Sequence, residues 1–158
     1  MMTKLQTLET EPALTLQPEY YTADGLNIEI ILLKFQTFMK EQHSHRDEKF
    51  LEREGRLLFL SFLRPIINGK GFDFKEPNVA DERRMDIVIT FHNRRYVLEL
   101  KRWYGPKAHQ QGLLQLSDYL DLYSLKQGYL LIYDFNKNKE YKQEQIIFRD
   151  KRIFAVWV

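Results

Sequence analysis

Two apolar runs separated by four polar residues constrain this chain more than any other feature. Asp86-Ile87-Val88-Ile89-Thr90-Phe91 is followed by His92-Asn93-Arg94-Arg95 and then by Tyr96-Val97-Leu98-Glu99-Leu100-Lys101. Both runs are rich in β-branched and aromatic residues, so they predict two strands of a hairpin. Side chains alternate faces along a strand, which puts Glu99 and Lys101 on one face and Leu98 and Leu100 on the other. Loop parity decides where Asp86 falls. A two-residue turn at Asn93-Arg94, or a four-residue turn over His92–Arg95, sets Asp86 opposite Lys101 and diagonal to Glu99. A two-residue turn at His92-Asn93 sets it directly opposite Glu99. A three-residue turn without a bulge sends it to the other face. The usual even-length loops therefore bring two carboxylates and an ammonium together.

The elements around the hairpin follow from periodicity and punctuation. Residues 1–20 lack a clear period and read as an extended arm, and residues 26–40 read as a helix. Ser44 with Asp47 resembles a helix start, and that helix should run to about Leu63, ahead of Pro65. Phe72 to Asn78 is a weak strand. A helix from about Lys107 to Leu125 is closed off by Gly128. Tyr129 to Phe135 is apolar enough for a strand buried on both faces. Gln145–Phe148 and Ile153–Val158 form a terminal hairpin around Arg149-Asp150-Lys151. The order predicts an α/β domain, a mixed sheet flanked by helices. The expected organisation is an N-terminal arm and helix over 1–44 and one domain over 45–158.

Composition narrows the function classes. The chain has 158 residues, of which 44% are hydrophobic, and no cysteine, which excludes disulfides and thiolate metal sites. The longest apolar run, Leu57–Leu63, is interrupted by Ser61 and too short to span a bilayer, and the first residues do not resemble a signal peptide. The expectation is a soluble cytoplasmic protein with no membrane partner. The segment from Arg83 to Lys107 holds seven of the 24 basic residues and two of the 22 acidic ones. Arg84, Arg94, Arg95, Arg102 and Lys107 are its candidate phosphate contacts; the competing reading is a basic edge that discourages aggregation. There is no Walker A loop and no Gly-x-Ser-x-Gly elbow, and His43, His45, His92 and His109 lack zinc spacing.

Two carboxylates with a lysine suit metal-assisted phosphoryl chemistry. Mg²⁺ prefers oxygen ligands and keeps several waters, it activates water and neutralises phosphate charge, and a lysine can stabilise the same charge. The pattern also occurs as Glu140-Tyr141-Lys142 with Asp134 upstream, but there it sits in a polar stretch. Around Asp86, Glu99 and Lys101 the competing reading is a cross-strand salt bridge.

Arg84-x-Asp86, the turn, Tyr96-Val97-Leu98-Glu99-Leu100-Lys101 and then Gly112-x-x-Gln115-Leu116-x-x-Tyr119-Leu120 resemble the PD-(D/E)XK nuclease-like domain. The version resembled is the one found C-terminal to an AAA-type ATPase module in many prokaryotic proteins. The resemblance covers residues 45–158, including Gly128-Tyr129-Leu130 and the closing Ile153–Val158. It departs from the family at Arg83, where glycine is usual, and in lacking a proline beside Asp86. It implies a restriction-endonuclease-like fold and a Mg²⁺- or Mn²⁺-dependent nuclease hydrolysing phosphodiesters, with DNA as the favoured substrate. The alternative is a catalytically silent module of the same fold that binds nucleic acid or protein. The implied metal ligands are Asp86, Glu99 and the Leu100 carbonyl, with Lys101 at the attacking water or the phosphate and Gln115 holding the geometry. Gln111, Gln115 and Tyr119 form an i, i+4, i+8 stripe. The implied partners are an AAA-type ATPase and a second copy in a homodimer. The family also implies an acid from the first core helix. Glu54, with Phe50, Leu51, Leu57 and Leu58 as helical neighbours, is expected to project from the apolar face toward the sheet; Glu52, among Glu48, Lys49, Gly55 and Arg56, is expected on the solvated side.

Overall fold

The computed structural model describes residues 18–43, 52–68, 73–75, 84–91, 93–136 and 138–158. The expected helix start at Ser44 and Asp47 lies outside them. A 3-10 turn at Pro18–Tyr20 leads into a small antiparallel pair, β1 (Tyr21–Thr22) and β2 (Gly25–Leu26). Helices α1 (Ile28–His43) and α2 (Glu52–Ile67) follow, then β3 (Asp73–Lys75), β4 (Arg84–Phe91) and β5 (Arg94–Arg102). Helix α3 (Pro106–Leu122) precedes β6 (Gln127–Tyr133), β7 (Gln143–Phe148) and β8 (Lys151–Trp157). The six larger strands form one mixed sheet in the order β3-β4-β5-β6-β8-β7. The β5–β6 and β6–β8 pairs are parallel and the others antiparallel.

Each face of the sheet has its own core. Ile87, Ile89, Leu98, Leu100, Leu131, Tyr133, Phe154 and Val156 pack under α1 and α2. Val97, Leu130, Ile132, Ile153, Ala155 and Trp157 pack under Leu113, Leu116 and Leu120 of α3. Covering on both sides explains the near-continuous apolar character of β6. The edge strand β7 is polar and largely exposed, which discourages pairing with another chain.

The helix expected in the N-terminal arm, apart from the domain beginning at residue 45, packs inside this core. Ile28, Ile31, Leu32, Phe35 and Met39 are buried, and Phe35 meets Phe59 edge-on with ring centroids 5.0 Å apart. Each such side chain stabilises the fold by roughly 2 kcal/mol. Helix α2 runs past the expected stop at Leu63 and through Pro65 to Ile67. Proline removes one intrahelical donor, but buried Ile66 and Ile67 hold the last turn against the core, and the Asn68 amide donates to the Arg64 carbonyl at 2.8 Å.

Candidate nuclease-type site

In the hairpin Phe91 pairs with Arg94, which leaves two residues between the paired strands. Of the registers open to the sequence, this one sets Asp86 directly opposite Glu99 and Arg84 opposite Lys101. Directly opposed positions have Cβ atoms ~4.5–5.5 Å apart, within reach of a shared cation. Glu99 is 1% exposed, with both carboxylate oxygens shut off from solvent. Asp86 is half-buried. Glu99 and Lys101 share the sheet face of Val97, the one covered by α3.

A cleft of about 420 Å³ opens there, lined by Glu99, Lys101, Arg102, Tyr104, Ala108, Gln111, Gly112 and Gln115. The chain makes the turn from β5 into α3 at Gly105, whose φ of 101° is a glycine conformation, and Pro106 starts the helix. The first two turns of α3 then form one wall. Lys101 Nζ donates to the Ala108 carbonyl at 3.4 Å. It can lie there because residue 112 is glycine: a Cβ at that position would overlap Lys101 Nζ and come within 3.2 Å of its Cε.

His109 sits on the inner side of the same helix, against Trp103 and Trp157, with ring centroids 5.2 and 5.6 Å away. Burial, and then the charge of Lys101, hold its pKa below the usual histidine value. Arg102 lies with its guanidinium carbon 5.3 Å from the Tyr104 ring centroid and 4.9 Å from that of Phe135.

The sequence-derived residues divide into those the fold brings together and those it does not. Glu99, Lys101, Gln111, Gln115 and Arg102 line the cleft. Asp86 is not part of its lining; it lies on β4, directly opposite Glu99. Lys107 is exposed in the first turn of α3. Leu100 buries its side chain on the opposite face, so only its carbonyl could contribute. Tyr119 lies further along α3, its ring tilted 32° against that of Tyr123 with centroids 5.4 Å apart.

Arg94 and Arg95 stand at the other end of β5, seven and six residues from Lys101, about 20 Å or more away. Arg94 pairs with Asp24 at 3.4 Å, and Arg95 lies over Tyr123. Glu54 does not project toward the sheet. It is exposed, on a helix packed against the opposite sheet face, and it does not line the cleft. The buried face of α2 is Arg56, Phe59, Leu60, Leu63, Ile66 and Ile67, and Gly55 lies under the Tyr133 ring. That helical phase turns 54, 57 and 61 outward.

In the rival set, Asp134 accepts hydrogen bonds from the Asn136 amide and Nδ2 at 3.0 and 2.8 Å, Glu140 is exposed, and Lys142 lies over Trp157. Each has its own local setting. Among the described residues no cluster of three or more His, Asp or Glu side chains is arranged to hold a metal, and no helix is long and apolar enough to cross a membrane. The sequence reading did not single out Tyr104, Ala108 or the packing role of Gly112. The available signal was the aromatic pair Trp103-Tyr104 directly after the basic strand end. Comparison with protein-family models, curated proteins and solved structures finds no significant match.

Proposed function

We propose that the chain is a metal-dependent nuclease-type domain of restriction-endonuclease-like fold that cleaves phosphodiester bonds of nucleic acid, DNA in first place. The observation that carries this reading is the register: Asp86 opposite Glu99, with Lys101 on the same face beside a cleft. Two directly opposed carboxylates repel one another, the more so where one is shielded from water, and a cation between them relieves this. Their hard oxygen donors fit Mg²⁺ or Mn²⁺, which complete their shells with water and substrate oxygens. Such an ion supplies an activated water and neutralises charge on the phosphate.

The chain's own side chains do the rest. Lys101, held by Ala108 and seated over Gly112, places an ammonium where the phosphate's charge grows. Gln111 and Gln115 offer amides along the same wall, and Gln115 holds the phosphate or the lysine in place. Arg102 and Lys107 draw the backbone in through charge. The Leu100 carbonyl is a further proposed ligand. An AAA-type ATPase partner or a second copy would raise a cleavage rate that is slow in the domain alone.

The two-residue size of the carboxylate set and the outward placement of Glu54 favour a second reading, a non-cutting module that docks nucleic acid or a protein partner. The deciding experiment incubates labelled DNA and RNA, single-stranded and duplex, with the protein and Mg²⁺ or Mn²⁺. Cleavage that disappears in Asp86→Asn and Glu99→Gln is the expected result. Absence of cleavage with either metal, also beside a candidate ATPase, rejects the enzyme in favour of the binding module.

A further inference from the structure

Resting on the nucleic-acid reading of this cleft, we infer that its substrate is a single strand, and that Tyr104 stacks on an unpaired base next to the phosphate held at Lys101. Tyr104 is 57% exposed, and it is the sole aromatic among the strongly exposed large hydrophobic residues described; the others are Leu57, Leu114, Leu122 and Ile147. More than half of its surface is open to solvent, which leaves ring area available for a stack. It is also at the cleft wall, in the same lining as Glu99, Lys101 and Gln111. Arg102 bears on the Tyr104 ring at 5.3 Å and on the Phe135 ring at 4.9 Å. The guanidinium thus braces the tyrosine and places positive charge where a strand's backbone would run.

A cation, an exposed aromatic face and a phosphate-sized polar wall in one lining are the elements with which proteins hold single strands: charge tracks the backbone and a ring takes a base. A duplex gives the tyrosine nothing to hold, because its bases are already stacked and paired, and extruding one costs free energy. The cleft volume of about 420 Å³ lies near the lower end of the range for small-ligand sites. It suits one nucleotide unit. The turn between β5 and α3 fixes the arrangement, since Tyr104 immediately precedes Gly105 and α3.

The test measures binding without divalent metal, at one fixed salt concentration, so that it does not depend on cleavage. A labelled single-stranded oligonucleotide carrying 2-aminopurine and its duplex are titrated with wild type, Tyr104→Ala and Tyr104→Phe. Wild type should bind the single strand about tenfold more tightly than the duplex and quench 2-aminopurine. Tyr104→Ala should lose about tenfold on the single strand alone, with the quenching gone, a loss of the size expected when one base–aromatic stack is removed. Tyr104→Phe should retain both, since stacking does not use the hydroxyl. Unchanged melting temperatures verify that the exposed substitution leaves the fold intact.

Single-strand binding by Tyr104→Ala at the wild-type level overturns the inference. So does equal weakening on both strand forms, or a wild type that binds neither. Cleavage that depends on Asp86 with no effect at Tyr104 sinks stacking and leaves the catalytic reading standing. A Tyr104 effect without cleavage does the reverse.

Discussion

Two lysines drawn in from solvent lie at opposite ends of α3, and their surroundings differ in kind. Lys151, 1% exposed, places its ammonium 2.5 Å from Asp121 and 2.6 Å from Asp150. Asp150 also meets Lys126. The hydrogen bonds to Asp121 and Asp150 raise the Lys151 pKa. This cluster gathers at the C-terminal end of α3, where the helix dipole favours a cation.

Lys101 lies against the first two turns of the same helix, the end that favours an anion. Its ammonium reaches the Ala108 carbonyl over Gly112 and lines a cleft with Glu99. It is well placed to meet a phosphate that the helix end also attracts. The difference separates a lysine bound into an ion cluster from a lysine that lines a cleft, although the residue type is the same.

The comparison is sharpest when both lysines are removed in turn. Lys101→Ala should lower cleavage by about 10²–10³-fold, the usual cost of losing a group that stabilises transition-state charge. Lys151→Met should leave cleavage unchanged and lower the melting temperature by a few degrees. Matching activity losses in the two variants would erase the distinction.

Gly112→Ala comes next. The added Cβ displaces the lysine's flexible end, so cleavage should fall at least tenfold. Helix propensity meanwhile favours alanine by ~1 kcal/mol, so the melting temperature should hold or rise. Full activity in this variant would mean that the lysine does not need its seat.

A smaller effect is expected at His109, which senses Lys101. Its folded pKa lies below the unfolded value, so below about pH 6.5 the unfolded state binds more protons. The fold is therefore unaffected by this group at neutral pH, and a destabilisation builds as pH falls below that unfolded value and is complete below the folded one. Replacing Lys101 with methionine should raise the His109 pKa in an NMR titration, and Lys151→Met should leave it alone. The smallest effect belongs to the far end of the hairpin: Arg94→Ala with Arg95→Ala should change cleavage less than twofold, and a tenfold loss would bring that end into the substrate path.

The hairpin was legible in the sequence because strand alternation fixes faces independently of everything else, and only the turn length remained open. The orientation of α2 was not. Gly55 and Arg56 read as solvated, yet Gly55 lies under Tyr133 and Arg56 is buried, while Leu57 is 41% exposed. The phase of this helix is set by Phe59, Leu60 and Leu63 further along, and local charge at its start pointed the other way. The basic segment misled for a different reason. A rigid strand carries sequence neighbours such as Arg95 and Lys101 far apart, so a charge cluster in the sequence became two separate groups in space. His109 lacked zinc spacing and drew no role, because its contacts with Trp103, just after β5, and Trp157 of β8 form only in the folded chain.

On the proposed reading the carboxylate pair holds a metal and Lys101 acts on what the metal presents. Mn²⁺ titration by calorimetry, with cleavage followed on the same preparations, tests it most directly. Lys101→Ala should bind Mn²⁺ as wild type does, since lysine supplies no ligand, and cleave about 10²–10³-fold more slowly, and Asp86→Asn should lose both. Mn²⁺ binding that survives in Asp86→Asn, or cleavage that persists in both variants, would contradict the account.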